Sequence, residues 1–185
     1  MTASVAGTLT GPGGTGPVSG SVTLSTHQDV APPSFGARAL RVVVEYDITQ
    51  PSGTTLEIQS NYYEQDSAGN LYFMGSSTST VNARLTSTSA PPLSYPSPMN
   101  RASSNAFTAR FADGSRADRT ITVVGLEAVG AHMAYRVHVV TSDTSASSED
   151  YWFVPDLGYP VKWTQTIQQG TSRFVMTATV TSRNF

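Results

Sequence analysis

The residues best suited to proton transfer or metal binding are three histidines, His27, His132 and His138. His132 and His138 sit in one alternating stretch and share a face with Ala134 and Arg136. At about 3.3 Å of rise per strand residue they stand roughly 20 Å apart, too far to chelate one ion. His27-Gln28-Asp29 offers a local acid–base pair, but no nucleophile is signalled beside it. Glu149 and Asp150 are neighbours on a candidate strand, so their side chains face oppositely and make a poor general acid/base pair. Asp143, Glu149 and Asp150 carry the oxygen ligands that Ca²⁺ takes, but their spacing matches no EF-hand loop, and a solvated Ser-rich loop is the preferred reading. The chain has no cysteine, which excludes a thiolate nucleophile and a Cys-based metal site. It also has no Gly-rich loop opening a helix, no Gly-x-Ser-x-Gly elbow and no His-Glu-x-x-His. The expectation is therefore a protein with no catalytic residue, no metal ligand and no cofactor, and not an enzyme.

The aromatic residues are more informative. Tyr62, Tyr63, Tyr72 and Phe73 form one group; Tyr151, Trp152, Phe153, Tyr159 and Trp163 form another, and both flank turns. Such side chains bury large areas, so they build a core or line a pocket. Alternation puts Tyr151 and Phe153 on one face and Trp152 on the other, so one face can hold the core while the other meets a ligand. The candidate pocket liners are Trp152, Tyr159, Trp163 and Tyr72.

These side chains sit in a chain patterned for strands. Leu40, Val42, Val44, Tyr46 and Ile48 alternate with Arg41, Val43, Glu45 and Asp47, which gives one buried and one solvated face. Pro51-Ser52-Gly53 and Ser67-Ala68-Gly69-Asn70 read as hairpin turns. Val81, Ala83 and Leu85 form another alternating run, and the Pro-rich stretch 90–99 reads as an extended crossover. Later strands are expected over 106–111, 119–126, 131–141, 150–154, 161–168 and 173–181. No stretch keeps helical apolar spacing over three turns. Residues 1–19, rich in Gly, Pro and Thr, read as a flexible tail ahead of an antiparallel β domain over 20–185. The expected fold is all-β: a single domain with a strongly curved antiparallel sheet or incomplete barrel of about ten strands.

Composition narrows the function classes. Of the 185 residues only 13% are charged, the net charge is −2, and Lys162 is the single lysine. A near-neutral chain has no basic footprint for nucleic acid, and no apolar run is long enough for a transmembrane helix. Low charge with abundant Ser, Thr, Gly and Pro favours a location outside the cytoplasm: periplasmic, envelope-associated or secreted. Met1-Thr2-Ala3-Ser4 lacks the charged start and apolar core of a signal peptide, so the export signal is expected to be absent from this chain.

The order of turns and aromatics also carries a resemblance. Tyr62-Tyr63-Glu64-Gln65-Asp66 leads into the Gly69-Asn70 turn and an aromatic strand closing at Gly75. Pro91-Pro92-Leu93-Ser94-Tyr95-Pro96-Ser97-Pro98-Met99 follows, then Val123-Val124-Gly125-Leu126-Glu127, Ala134-Tyr135-Arg136-Val137 and the run Tyr151-Trp152-Phe153-Val154-Pro155-Asp156-Leu157-Gly158-Tyr159-Pro160-Val161-Lys162. Over residues 37–183 this resembles bacterial exported and lipoprotein domains of unknown function, some of them similar to the Lol-type lipoprotein carriers. The Gly-to-Val gap, filled by Tyr159 and Pro160, is longer here than in that pattern. The resemblance implies an antiparallel sheet wrapped around an apolar cavity, an envelope location and no enzymatic activity. The leading expectation is a non-enzymatic exported domain that binds a lipid, another apolar small molecule or an envelope protein. The alternative is a structural self-assembly protein such as a coat, tail or surface subunit.

Overall fold

A computed structural model describes residues 1–30, 39–78, 93–95, 103–110, 116–142, 146–154, 157 and 159–182. Its strands are β1 (Thr2–Gly11), β2 (Gly14–Val30), β3 (Ala39–Gln50), β4 (Gly53–Gln65), β5 (Leu71–Thr78) and β6 (Leu93–Tyr95) in the first half. The second half holds β7 (Ser103–Arg110), β8 (Arg116–Val129), β9 (His132–Ser142), β10 (Ala146–Val154), β11 (Tyr159–Gln169) and β12 (Ser172–Ser182). All twelve join one sheet in the order β6-β5-β4-β3-β2-β1-β12-β11-β10-β9-β8-β7, and the pairings are antiparallel. The all-β curved sheet expected from alternation is thus the observed fold, with twelve strands rather than about ten. The Val81–Leu85 run, Asp143 and all of the Pro-rich stretch except β6 lie outside the described residues.

Every strand lies beside a sequence neighbour except at the centre, where β1 pairs with β12. This corrects the reading of residues 1–19 as a flexible tail. They form β1 and the first part of β2, joined by a tight turn at Pro12-Gly13 that brings Gly11 opposite Gly14. Ala3, Val5 and Val18 are buried there. Glycines occupy inward positions in these strands and so hid the alternation. Gly7 lies opposite Val18 and Met176, and Gly20 lies opposite Val5 and Ile48. A Cβ on Gly7 would stand 2.1 Å from the Val175 carbonyl oxygen, and one on Gly20 would stand 2.0 Å from that of Asp47. Backbones approach so closely here that only glycine fits.

Register assigns the two faces. The face carrying Val5, Val22, Val44, Trp163, Met176 and Ala178 holds the main core. It continues through Tyr151 onto Ile121, Val123, Val137 and Val139. This face is concave: Arg119 on β8 reaches within 5.6 Å of the Phe73 ring on β5, although eight strands separate them in the sheet. The sheet therefore curls end towards end without β6 pairing to β7. Bulges assist the curl, because an extra residue on one strand increases local twist. Three of the register irregularities fall between Tyr62 and Tyr63, Val123 and Gly125, and Trp152 and Phe153.

Two substitutions separate close approach from turn preference. Gly20→Ala is expected to lose about 1–3 kcal/mol in urea unfolding, the range for forcing atoms into a filled site. Gly13→Ala, whose added carbon meets nothing within 4 Å, is expected to change stability by less than about 0.5 kcal/mol.

Candidate functional site

The inner face is apolar along its centre and polar on one flank. On β4 the inward residues are Thr55, Glu57, Gln59 and Asn61, opposite Ile48, Tyr46, Val44 and Val42 of β3. Alternation is inverted here, since the outward residues Leu56 and Ile58 are 72% and 42% exposed. The Gln59 side chain donates to Asn61 Oδ1 at 3.1 Å. Across the curl, Glu149 on β10 points inward beside Tyr151 and Gln165. Its carboxylate accepts from the Tyr151 hydroxyl and, at 3.3 Å, from Gln165 Nε2. Tyr46 packs on the same core cluster as Tyr151. Burial raises the Tyr46 phenol well above its ordinary pKa, and the charges of Glu149 and Glu57 raise it further, so it stays protonated. Glu57 lies opposite Tyr46 in the β3–β4 ladder and is exposed to solvent, whereas Glu149 is half-buried.

At the β8–β9 hairpin the inner face ends in an apolar lip. Leu126 lies opposite Tyr135, and Met133 lies opposite Ala128. Leu126 and Met133 are 50% and 53% exposed, while Tyr135 and Phe153 pack on the adjoining core. From Met133 to the level of Glu149, which faces Val139, the strand runs about 20 Å.

The outer face carries a charged network over a small core of Ala134, Trp152, Val154 and Val161. Arg136 Nε donates to Asp150 Oδ1 at 2.7 Å, and His138 Nδ1 lies 3.0 Å from the same oxygen. Arg136 also reaches Glu127 at 3.5 Å, and Trp152 Nε1 donates to Glu127 at 3.0 Å. The Trp152 ring has Arg136 Cζ 5.7 Å and Lys162 Nζ 4.6 Å from its centre. Burial pushes the Asp150 carboxyl up, but hydrogen bonds from Arg136 and His138 outweigh it and hold the group below its usual range. An open recess of about 350 Å³ lies elsewhere, by β7 and β8, lined in part by Phe107, Thr108, Arg116 and Arg119.

The structure distributes the four residues expected to line a pocket. Trp163 is buried in the inner core, whereas Trp152 and Tyr159 belong to the outer cluster. Tyr72 stands at the β4–β5 turn, where its hydroxyl donates to Asp66 at 3.1 Å. Asp66 also accepts from the backbone of Ala68 and Asn70 and from the Asn70 side chain, a turn-fixing arrangement. Glu149 and Asp150 do face oppositely. His138 pairs with Asp150, and among the described residues no three His, Asp or Glu side chains gather around a metal position. Sequence reading did not single out Tyr46, Glu57, Leu126 or Met133 as site residues. The inward phase of Tyr46 was visible in the Leu40–Ile48 alternation, but its approach to Glu149 arises only from the curl.

The folded value of the Asp150 carboxyl lies below its unfolded value, so its contribution to stability is present above about pH 4 and is lost as pH falls through the folded value. Asp150→Asn is expected to be less stable than the parent by about 1–2 kcal/mol at pH 7. The gap should close in chemical-unfolding curves taken towards pH 2.

No protein family, characterised protein or solved structure matches this chain, so its function is argued from the two faces and the residues on them.

Proposed function

We propose that the chain is a non-enzymatic binding protein that holds a lipid or other apolar small molecule against its concave face, outside the cytoplasm. One observation carries this reading. Leu126 and Met133 project from the inner face, half exposed, beside the packed aromatics Tyr135 and Phe153. Large apolar side chains left open on a concave face beside a packed core mark a place for an apolar occupant. The sequence resemblance to exported carrier-like domains points the same way. The His138–Asp150 pair does not compete as a catalytic centre, because Arg136 shares the same carboxylate oxygen and the pair sits on the outer face.

Native mass spectrometry of gently purified protein tests the proposal. A monomer carrying a few hundred daltons of additional mass, lost on organic extraction, is expected, with occupancy reduced in Leu126→Ser/Met133→Ser. A delipidated protein that takes up no apolar probe refutes it.

A second reading, self-assembly or docking on another protein, rests on Leu56 and Ile58. They lie on one outward row of β4, opposite Asp47 and Glu45. If this row is an assembly contact, sedimentation velocity should show concentration-dependent growth that Leu56→Asp abolishes. A strict monomer at high concentration in the parent rejects it.

A further inference from the structure

We propose that the chain associates head to tail with copies of itself, the Leu56–Ile58 row of one copy seating in the recess by β7 and β8 of the next. This rests on the reading of that row as an assembly contact and adds the surface that receives it.

The inserted surface is apolar and acidic. Leu56 and Ile58 project outward from β4, about 7 Å apart along the strand, and both are exposed. Asp47 lies opposite Leu56 and Glu45 opposite Ile58. Both carboxylates are exposed, and neither forms an ion pair with a described residue. The imbalance runs through this half of the sequence, where residues 1–95 hold six acidic residues and three arginines.

The receiving surface is apolar and basic. Ala106, Thr120 and Val140 form one cross-strand row of the 350 Å³ recess. That row is outward, since the alternate pair Ile121 and Val139 is buried in the inner core. Val140 is 40% exposed, which leaves the recess an open apolar wall. Arg116 and Arg119 also line it, and Arg110 stands opposite Arg116 in the ladder. These three positions outnumber the one carboxylate among them, Asp118, which bridges Arg116 at 3.0 Å.

Burying exposed aliphatic side chains favours association, and opposite charge around them selects the partner surface. Two copies of the acidic row would repel each other, so the row is better matched to the recess than to itself. The two surfaces face outward from opposite flanks of the sheet, so one copy cannot join its own. Each copy carries one surface of each kind. A contact of this heterologous type continues into a chain or closes into a ring, rather than stopping at two copies.

Sedimentation velocity of the full chain over a range of concentrations tests this, with Leu56→Asp and Val140→Asp as variants. The parent is expected to grow beyond a dimer, and each variant alone to associate at least about tenfold more weakly. An equimolar mixture should form one-to-one dimers and grow no further, because each variant keeps the surface that the other lacks. That rescue also shows that both variants fold. Growth should weaken in high salt, which screens exposed charges. If Leu56→Asp abolishes growth but Val140→Asp does not, the row meets something other than the recess, and the inference is overturned while the assembly reading stands. Folded variants that stay monomeric when mixed, or growth insensitive to salt, overturn it as well. A parent that remains a strict monomer at high concentration overturns the assembly reading and this inference together.

Discussion

The pairing of the first strand with the last is the interaction on which the rest of the structure depends. It joins β6–β1 to β12–β7, two meanders that share no other ladder among the described residues. The seam is built from small residues facing a large one: Gly7 opposite Met176, and Val5 opposite Ala178. Met176 and Ala178 are almost fully buried, and Trp163 lies in register with Ala178 on the next strand. Without glycine at 7 and 20 the central backbones could not approach as they do in the curled sheet. That curl alone brings Tyr46 of β3 within the field of Glu149 of β10.

The outer network acts on the same curvature from the other side. The Val123/Gly125 irregularity lies in the β8–β9 ladder, where Gly125 pairs with Arg136, and the Trp152/Phe153 irregularity lies in the β10–β11 ladder; between them Arg136 pairs with Trp152 across the unbroken β9–β10 ladder. Bulges sharpen twist but disrupt the ladder. Side chains compensate: Trp152 packs over Ala134, Val154 and Val161 and ties to Glu127, while Arg136 and the single lysine, Lys162, cover its ring. A core on the solvent side of a sheet is unusual for a simple alternating pattern, and here it packs beside two of the register irregularities.

Strand content was legible in the sequence because alternation and turn chemistry are local. The Leu40–Ile48 run and the Asp66–Asn70 turn needed nothing from the rest of the chain. The tail reading failed because glycine has no side chain to reveal an inward position, and because the partner of β1 lies at the far end of the sequence. The pocket residues scattered for a related reason. Trp152 and Trp163 sit on adjacent strands, yet Trp152 pairs with Lys162 and Trp163 with Tyr151. A register offset of one residue places two side chains on opposite faces, and register is set by pairing, not by residue type.

The inversion on β4 bears most directly on what the fold is for. A strand that only closed a core would carry Leu56 and Ile58 inward and Glu57 outward. The observed phase does the reverse, although β3 beside it keeps Val44 and Ile48 inward. Both faces of β4 are exposed from Gly53 to Ile58, inward Thr55 and Glu57 included, so this end of the strand runs past the core, which β4 joins only at Tyr62 and Tyr63. The inner face thus carries polar and amide side chains on the β4 flank and an apolar lip, Leu126 and Met133, on the other. The outward Leu56 and Ile58 suit a second contact on the opposite face. The central strands therefore hold the fold, and the flanking strands carry the exposed apolar side chains on which the proposed contacts rest.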